Sequence, residues 1–552
     1  MNSLFNATLF CCRFLPACLV LIFLPQVFGQ KATLPKEWAD QVEFRSIGPA
    51  NMSGRITSIA VYEKDPNIWW AASASGGLIK TVNNGHDFEH QFDDQATVSI
   101  GDVQVSQSDP NLVWVGTGEA NPRNSVSWGD GVYKSTDGGE TWKNMGLNKT
   151  FQTGRIAIHP KDNDVVFVGS LGRLWGPNEE RGLFKTTDGG KTWKKVLYVD
   201  EKTGVIDLQL NPKKPDEMLV ATYERQRDAF DGNAPAKKIA PGSGMYRTTD
   251  GGATIEKLTK GLPTCNWGRV GIDYYKADPS IVYAIVESEM MGKPGKGIGW
   301  SGISSVSKAT DGAKVEAVTK DSPAAKAGLK KGDIIVSING KKAPTADKLA
   351  GAMTKYKVAQ KMSLAITRED KNSNLDFTMI EKPESPAGTS GRRGGRGFGR
   401  RGGSSGTQTY SMNLSFGGRL GGQGANMQDY QGEEGYEHGG LFQSKDGGTS
   451  WTRINSIDPR PMYFSQFRVD PSDTTYQYVL GISASRTVDG GKTFTSDAGR
   501  GVHADQHALW INPNNGKHMI LGCDGGIYVT YDRSKTWSHL NHVAIGQFYH
   551  AA

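Results

Sequence analysis

The chain has 552 residues, enough for more than one core, and 70 of them are glycine, well above the usual share of ~7%, as suits a turn-rich β protein. Its formal charge of +7 includes five arginines in one stretch, Arg392, Arg393, Arg396, Arg400 and Arg401, which leaves +2 elsewhere. That balance excludes a strong electrostatic footprint for nucleic acid or an anionic membrane on the folded parts.

Residues 1–29 read as a secretory signal. Arg13 is the sole positive side chain, residues 14–24 are apolar, and Val27-Phe28-Gly29 offers a cleavage site. An apolar run of eleven residues is too short for a membrane-spanning helix, which needs ~20. Leu15-Pro16-Ala17-Cys18 has the look of a lipoprotein box, but the apolar run continues beyond Cys18. The mature chain is therefore expected in the periplasm or medium, without stable membrane insertion. Cys11, Cys12 and Cys18 would leave with the signal. Cys265 and Cys523 remain, either as a disulfide or as buried free thiols.

Residues 38–287 and 440–552 share one repeat. Ser135-Thr136-Asp137-Gly138-Gly139-Glu140-Thr141-Trp142 recurs as Thr186-Thr187-Asp188-Gly189-Gly190-Lys191-Thr192-Trp193, with further copies centred on Asn83, Asp250, Asp446, Asp489 and Asp532. The short Asp side chain accepts from backbone N–H groups two residues on, and Gly-Gly supplies positive φ. The aromatic residue, Trp142, Trp193, Trp451 or Trp537, then starts the returning strand and buries its ring. Each staple is preceded by an alternating run, a Pro or Asp-Pro turn and a short apolar strand, as in the copy starting at Arg155. Four strands per unit in seven units predict a seven-bladed all-β propeller.

The long gap between Asp250 and Asp446 holds an insert within the fifth blade. Residues 315–319 and 333–338 read as strands, Asn339-Gly340 as a hairpin turn, and 345–356 as a helix with Thr345 as N-cap. The string from Ser322-Pro323-Ala324-Ala325 through Gly328-Leu329 and Gly332-Asp333-Ile334-Ile335 to Asn339-Gly340 resembles bacterial PDZ domains. The resemblance places a small α+β PDZ domain at 298–382 and implies capture of protein C-terminal peptides by strand addition. Gly302, Ile303 and Ser304 would form the carboxylate loop, without the second Gly of the family pattern. The alternative is a PDZ fold used only for packing. Residues 383–439 read as a Gly/Arg/Ser-rich solvated linker, set against the RNA-binding look of its arginine–glycine repeats.

The staple is the Asp-box, or BNR, repeat. Outside the insert the chain resembles bacterial Asp-box propellers described as sortilin-like or glycosyl-hydrolase-like. That implies a peptide- or glycan-binding protein without cofactor or metal, a glycoside hydrolase, or a protease or chaperone adaptor. In such a ring the staples lie on one rim, and the b–c loops and strand-a starts form the opposite face. That face collects Arg55, Arg155 and Arg269 from three Gly-Arg starts, with Glu119, Arg123, Trp128, Arg173, Trp175, Glu224, Arg225 and Arg227 from loops. Arginines beside aromatics suit sugars or carboxylates; equally, a repeated Gly-Arg is what blade-to-blade bonding would leave. Sialidases pair an arginine triad with a Tyr nucleophile and its carboxylate, and no such pair is evident. The family's endoglucanases carry a catalytic Asp before Gly-Gly in blade one. Here that stretch is Ala74-Ser75-Gly76-Gly77, whereas blade seven has Cys523-Asp524-Gly525-Gly526. Glu119, Asp505 and Asp524 are the candidate acids. His503, Asp505 and His507 are expected on one face of a strand, where four-residue spacing spreads the histidines ~13 Å apart, too far for one zinc.

Overall fold

The computed structural model describes residues 54–543 apart from 125, 228–234, 236, 384–407, 413, 415 and 419–420. The signal segment and the arginine cluster lie outside the described residues.

Seven antiparallel sheets form the blades of the ring. The first comprises Ile56–Val61, Trp69–Ser73, Leu78–Thr81 and Glu89–His90, in sequence order from the axis outward. The inner strands of the other six are Ile100–Val105, Thr153–Ile158, Thr203–Leu210, Trp267–Tyr274, Phe467–Val469 and Gln506–Ile511. The fifth blade is split: Trp267–Tyr274 and Val282–Ser288 pair with Gly440–Ser444 and Thr452–Asn455 from beyond the insert. The sixth has three strands, Thr495 adding a single bridge to Arg486.

All seven boxes use one geometry. The Asp137 carboxylate accepts from Ser135 Oγ at 2.7 Å, Thr141 N at 2.9 Å and Thr141 Oγ1 at 2.5 Å. Asp188, Asp250, Asp446, Asp489 and Asp532 repeat it; in blade one Asn83 Oδ1 likewise accepts from Asp87 N, while its Nδ2 donates to the Asp87 carboxylate. The backbone N–H captured is thus four residues on rather than two, because the carboxylate spans the whole Gly-Gly turn. Those bonds from Thr141, with that from Ser135, hold the Asp137 carboxyl down to about 2. Asp137→Ala is expected to cost about 1–2 kcal/mol, read as a lower urea midpoint. Asp137→Asn should lose less, since Asn83 already performs the role.

The box tryptophans pack backward onto the preceding blade. Trp142 meets Phe92 edge-on at 5.2 Å, Trp193 donates to Met145 O at 2.8 Å, and Trp537 donates to Ala498 O at 2.7 Å. Blade one obeys the same rule toward blade seven. Ile56, Trp69 and Ile79 share a core with Ile520, Ile527 and Val529, and His542 Nε2 bonds Gly85 O at 2.9 Å. Among the described residues, the first and seventh sheets are thus joined by side-chain packing.

In six blades the inner strand pair carries a register shift near its loop-side end. Close approach explains the glycines there: a Cβ on Gly154 would lie 2.3 Å from Val205 O. Gly154, like Gly101 against Thr153, thus lets neighbouring inner strands crowd together, whereas Gly268 makes room for Glu287 of its own blade.

The insert is a six-strand PDZ sheet with two short helices, Pro323–Lys326 and Ala346–Met353. Its core includes Ile303, Val306, Val315, Leu329, Ile335, Leu349, Leu364 and Ile366. Thr345 is the N-cap of the second helix by backbone, without a side-chain bond. The stretch read as solvated linker is partly built into the fold. Thr409–Ser411 joins the PDZ sheet, and Gln423 is buried, donating to Ser456 O at 2.7 Å. Alternating Tyr410, Met412 and Leu414 and the amides of Gln423 and Gln431 give this part something to bury that the glycine-rich part lacks. Cys265 and Cys523 are both free thiols, Cys523 bonding Gly526 O and pushed by burial up to about 12. No helix among the described residues is long and apolar enough to cross a membrane.

Candidate functional site

Two places concentrate chemistry: the loop-side mouth of the channel and the groove of the PDZ domain.

At the mouth, Arg55 bridges two carboxylates, Glu119 at 2.8 Å through Nη1 and Asp524 at 2.9 Å through Nε. Asp524 also accepts from His507 Nε2 at 3.0 Å, which leaves His507 Nδ1 facing the Asn121 amide at 3.3 Å. Asn121 donates to Glu119 at 3.2 Å and accepts from Arg269 Nη1 at 3.1 Å, and Arg269 also donates to Tyr463 O. One network thus joins blades one, two, five and seven across the axis. Arg55, Glu119, Arg269 and His507 are all buried. Burial opposes ionisation of Asp524, but the bonds from His507 and Arg55 outweigh it and hold its carboxyl well below the usual range.

A plug that the sequence reading missed closes this mouth. The connection between blades five and six carries Met462, Tyr463 and Phe464, mutually packed and buried. Arg460, Arg55 and Arg123 lie 4.5, 5.9 and 6.0 Å from the Tyr463 ring centroid. Beneath it remains a cavity of about 20 Å³, lined by Thr57, Asn121, Arg155, Arg269, Tyr463 and His507, which is the space of about one water molecule. The wider opening, about 280 Å³, is on the Asp-box side, between Gln104, Arg155, Asp273, Arg468 and Trp510.

The structure disperses the other sequence-derived candidates. Arg155 is committed deeper in the channel to Asp102 and Asp207, at 3.4 and 3.0 Å. Buried Arg225 donates to Gln152 Oε1 at 2.7 Å, Arg227 to Pro122 O, and Glu224 pairs with Lys237 at 2.9 Å. Arg173 is exposed over Phe151, as is Trp128, and Trp175 is half-buried at a bridge to Arg227. His503, Asp505 and His507 do not share a strand face. The strand starts at Gln506, Asp505 has φ +61°, His503 bonds Ala504 O, and Asp505 turns away to Arg460 at 3.5 Å. Among the described residues no group of His, Cys, Asp and Glu is arranged to hold a metal ion.

In the PDZ domain the groove lies between the strand Ile303–Ala309 and the helix Ala346–Met353. Gly302 has φ +87°, and a Cβ there would lie 2.0 Å from the Ser322 side chain, so the loop requires glycine. Ile303 is buried, and the Ser304 hydroxyl meets Thr319 Oγ1 at 2.8 Å. Beyond that loop the strand edge is paired. Ser305, Val306 and Ser307 face Ser411, Tyr410 and Thr409 in antiparallel register, and Met412 N donates to Ser304 O at 2.9 Å.

The "Sortilin, neurotensin receptor 3" family model matches residues 130–323, and the PDZ domain model matches 302–379. The chain is 27% identical over 262 residues to the xyloglucanase Xgh74A of Acetivibrio thermocellus, covering 44% of this chain and 29% of that protein. It is 40% identical over 76 residues to a probable periplasmic serine endoprotease, DegP-like, of Pseudomonas putida, covering 14% and 16%. The chain thus spans less than a third of the length of these relatives. Among solved structures, the Niastella koreensis GH74 enzyme overlaps 88% of this chain and 86% of its own at 14% identity and a TM-score of 0.31. Sheet order and boxes make the chain a seven-bladed Asp-box propeller with a PDZ domain inserted in its fifth blade, similar to the sortilin family over residues 130–323.

Proposed function

We propose that this chain is an exported polypeptide-recognition protein, with the PDZ groove as its binding site and the propeller as the rigid body that carries it. One observation carries the reading: an extended segment already lies on the strand Ile303–Ala309, beside the carboxylate loop at Gly302, Ile303 and Ser304. Strand addition provides affinity through the backbone and specificity through alternate side chains. Export rests on residues 1–29 and on the periplasmic name of the DegP-like relative.

Glycan binding or hydrolysis on the propeller is the second reading, favoured by the similarity to Xgh74A and by the two carboxylates gathered on Arg55. Glycosidic cleavage needs one carboxyl kept protonated as the acid. Asp524 is held ionised instead, and the Tyr463 plug leaves no room for a sugar ring beneath it. Glu119, Asp524 and Arg55 fit a lock between blades better than an acid–base pair. Exposed Arg173 and Trp128, with half-buried Arg123, remain as the rim on which a glycan would lie.

Hydrogen exchange on the full chain separates the two. Millimolar hydrophobic peptides, with free or amidated C-termini, are expected to change exchange within 298–412 only. Xyloglucan oligosaccharides should leave the pattern unchanged and remain uncleaved. Turnover of xyloglucan, lost in Glu119→Gln or Asp524→Asn, would replace this reading with the second.

A further inference from the structure

The PDZ sheet has an occupant that does not belong to the PDZ domain. The matched domain ends at residue 379, and the edge strand Ile303–Ala309 is then completed by Thr409–Ser411 from some thirty residues further on. This segment sits as a bound peptide would. It is antiparallel to the edge strand, lies against the helix Ala346–Met353, and ends at the carboxylate loop, where Met412 N donates to Ser304 O at 2.9 Å.

Its side chains alternate as strand addition demands. Tyr410 and Met412 point to one side and pack against the domain core, while Thr409 and Ser411 are exposed. The segment is also tethered. Just beyond it Phe416 is buried and Gly417 bridges Gln423, whose amide is held by Ser456 and Gln431 on the propeller side. Upstream in sequence lies the Gly/Arg/Ser-rich stretch. A short tether on one side gives the segment a millimolar effective concentration at the groove.

We propose that residues 409–412 are a resident ligand of the PDZ groove, and that partner polypeptides bind by displacing them. The inference rests on the polypeptide reading above and adds two things. The partner is an extended segment with an aromatic residue and, two positions on, an unbranched apolar one, matching Tyr410 and Met412. It need not end in a free carboxylate, because the resident chain runs on past Met412.

The test uses a fluorescein-labelled peptide of residues 406–415, blocked at both ends, titrated by polarisation into the full chain and into the double variant Tyr410→Ala/Met412→Ala. The variant is expected to bind about tenfold or more tightly than the natural chain, reflecting removal of the tethered competitor. In the same variant hydrogen exchange at 304–307 should quicken while the propeller is unchanged, which also reports that the fold is intact. Should the double variant disturb the fold, Met412→Ala alone is read by the same two measurements. Equal affinity in natural and variant chains overturns the resident-ligand proposal. So does failure of every variant to bind the peptide. A free-carboxylate peptide run in parallel distinguishes the failures: binding of that probe alone leaves polypeptide recognition standing, and binding of neither removes both.

Discussion

Replacing Arg55 by Met is expected to destabilise the protein by about 3–5 kcal/mol, the largest loss from any single channel substitution. The guanidinium is 4% exposed and is the counter-ion of both Glu119 and Asp524, which are 3% and 16% exposed. Methionine fills a similar volume, so the loss reflects electrostatics rather than a cavity. Two carboxylates would stay inside with only Asn121 and His507 to stabilise them. Each lies on a blade flanking Arg55, so the repulsion acts where blade one meets blades two and seven. Urea unfolding at pH 7 measures the loss. Adding Glu119→Gln and Asp524→Asn to Arg55→Met should recover much of it, because the charges are removed along with their partner. The sign with pH is fixed by Asp524. Its carboxyl is depressed in the folded state, so its contribution is complete above the ordinary carboxylate range and is lost as acid protonates it. The gap between natural chain and Arg55→Met should narrow below about pH 4. A loss under about 1 kcal/mol at pH 7 would mean the bridge contributes no more than a surface ion pair.

The repeat was legible because it is local. Asp137 closes its turn through Ser135 and Thr141, and the glycines between them are readable in any copy. Strand alternation gave the blades for the same reason, and Gly328, Gly332 and Asn339-Gly340 marked the PDZ domain. What escaped depends on contacts remote in sequence. Tyr463 becomes a plug only because Arg55, Arg123 and Arg460 converge on its ring. The resident strand did carry a local signal, since Tyr410, Met412 and Leu414 alternate with polar residues. Three such residues after a long glycine-rich run are too few to separate a strand from a linker, and the partner strand is about a hundred residues earlier. The loop-face arginines divided for a physical reason. Arg55, Arg155 and Arg269 start inner strands and must find acceptors inside, whereas Arg173 sits in a longer loop that reaches the rim and Arg123, half-buried, leans on the Tyr463 ring.

Glu287 should make stability fall as pH rises, the opposite of Asp524. It ends the second strand of blade five, where it is buried and accepts from Arg269 N at 3.0 Å, with Lys238 Nζ 3.7 Å away. Burial is the dominant influence and lifts its carboxyl from an ordinary 4.5 to about 7, against the pull of Lys238 and Arg269. Asp458, also buried beside it and bonded to Ser465, is pushed up by burial and by Glu287. Between the two values the unfolded chain has released the proton that the folded chain retains. The unfolded state then binds fewer protons, so stability declines with rising pH and levels off above about 7. A shift of this size corresponds to about 3 kcal/mol. Glu287→Gln keeps the shape and the acceptor for Arg269 N but cannot ionise. Measured by urea unfolding, the variant should gain on the natural chain by about 3 kcal/mol between pH 4.5 and pH 8. Asp458→Asn should shift the same way, and the two should be non-additive because each carboxylate raises the other. A pH-independent gap for Glu287→Gln would mean that Lys238 neutralises the buried carboxylate completely. In that case the seam between blades four and five is an ion pair, not a protonated acid.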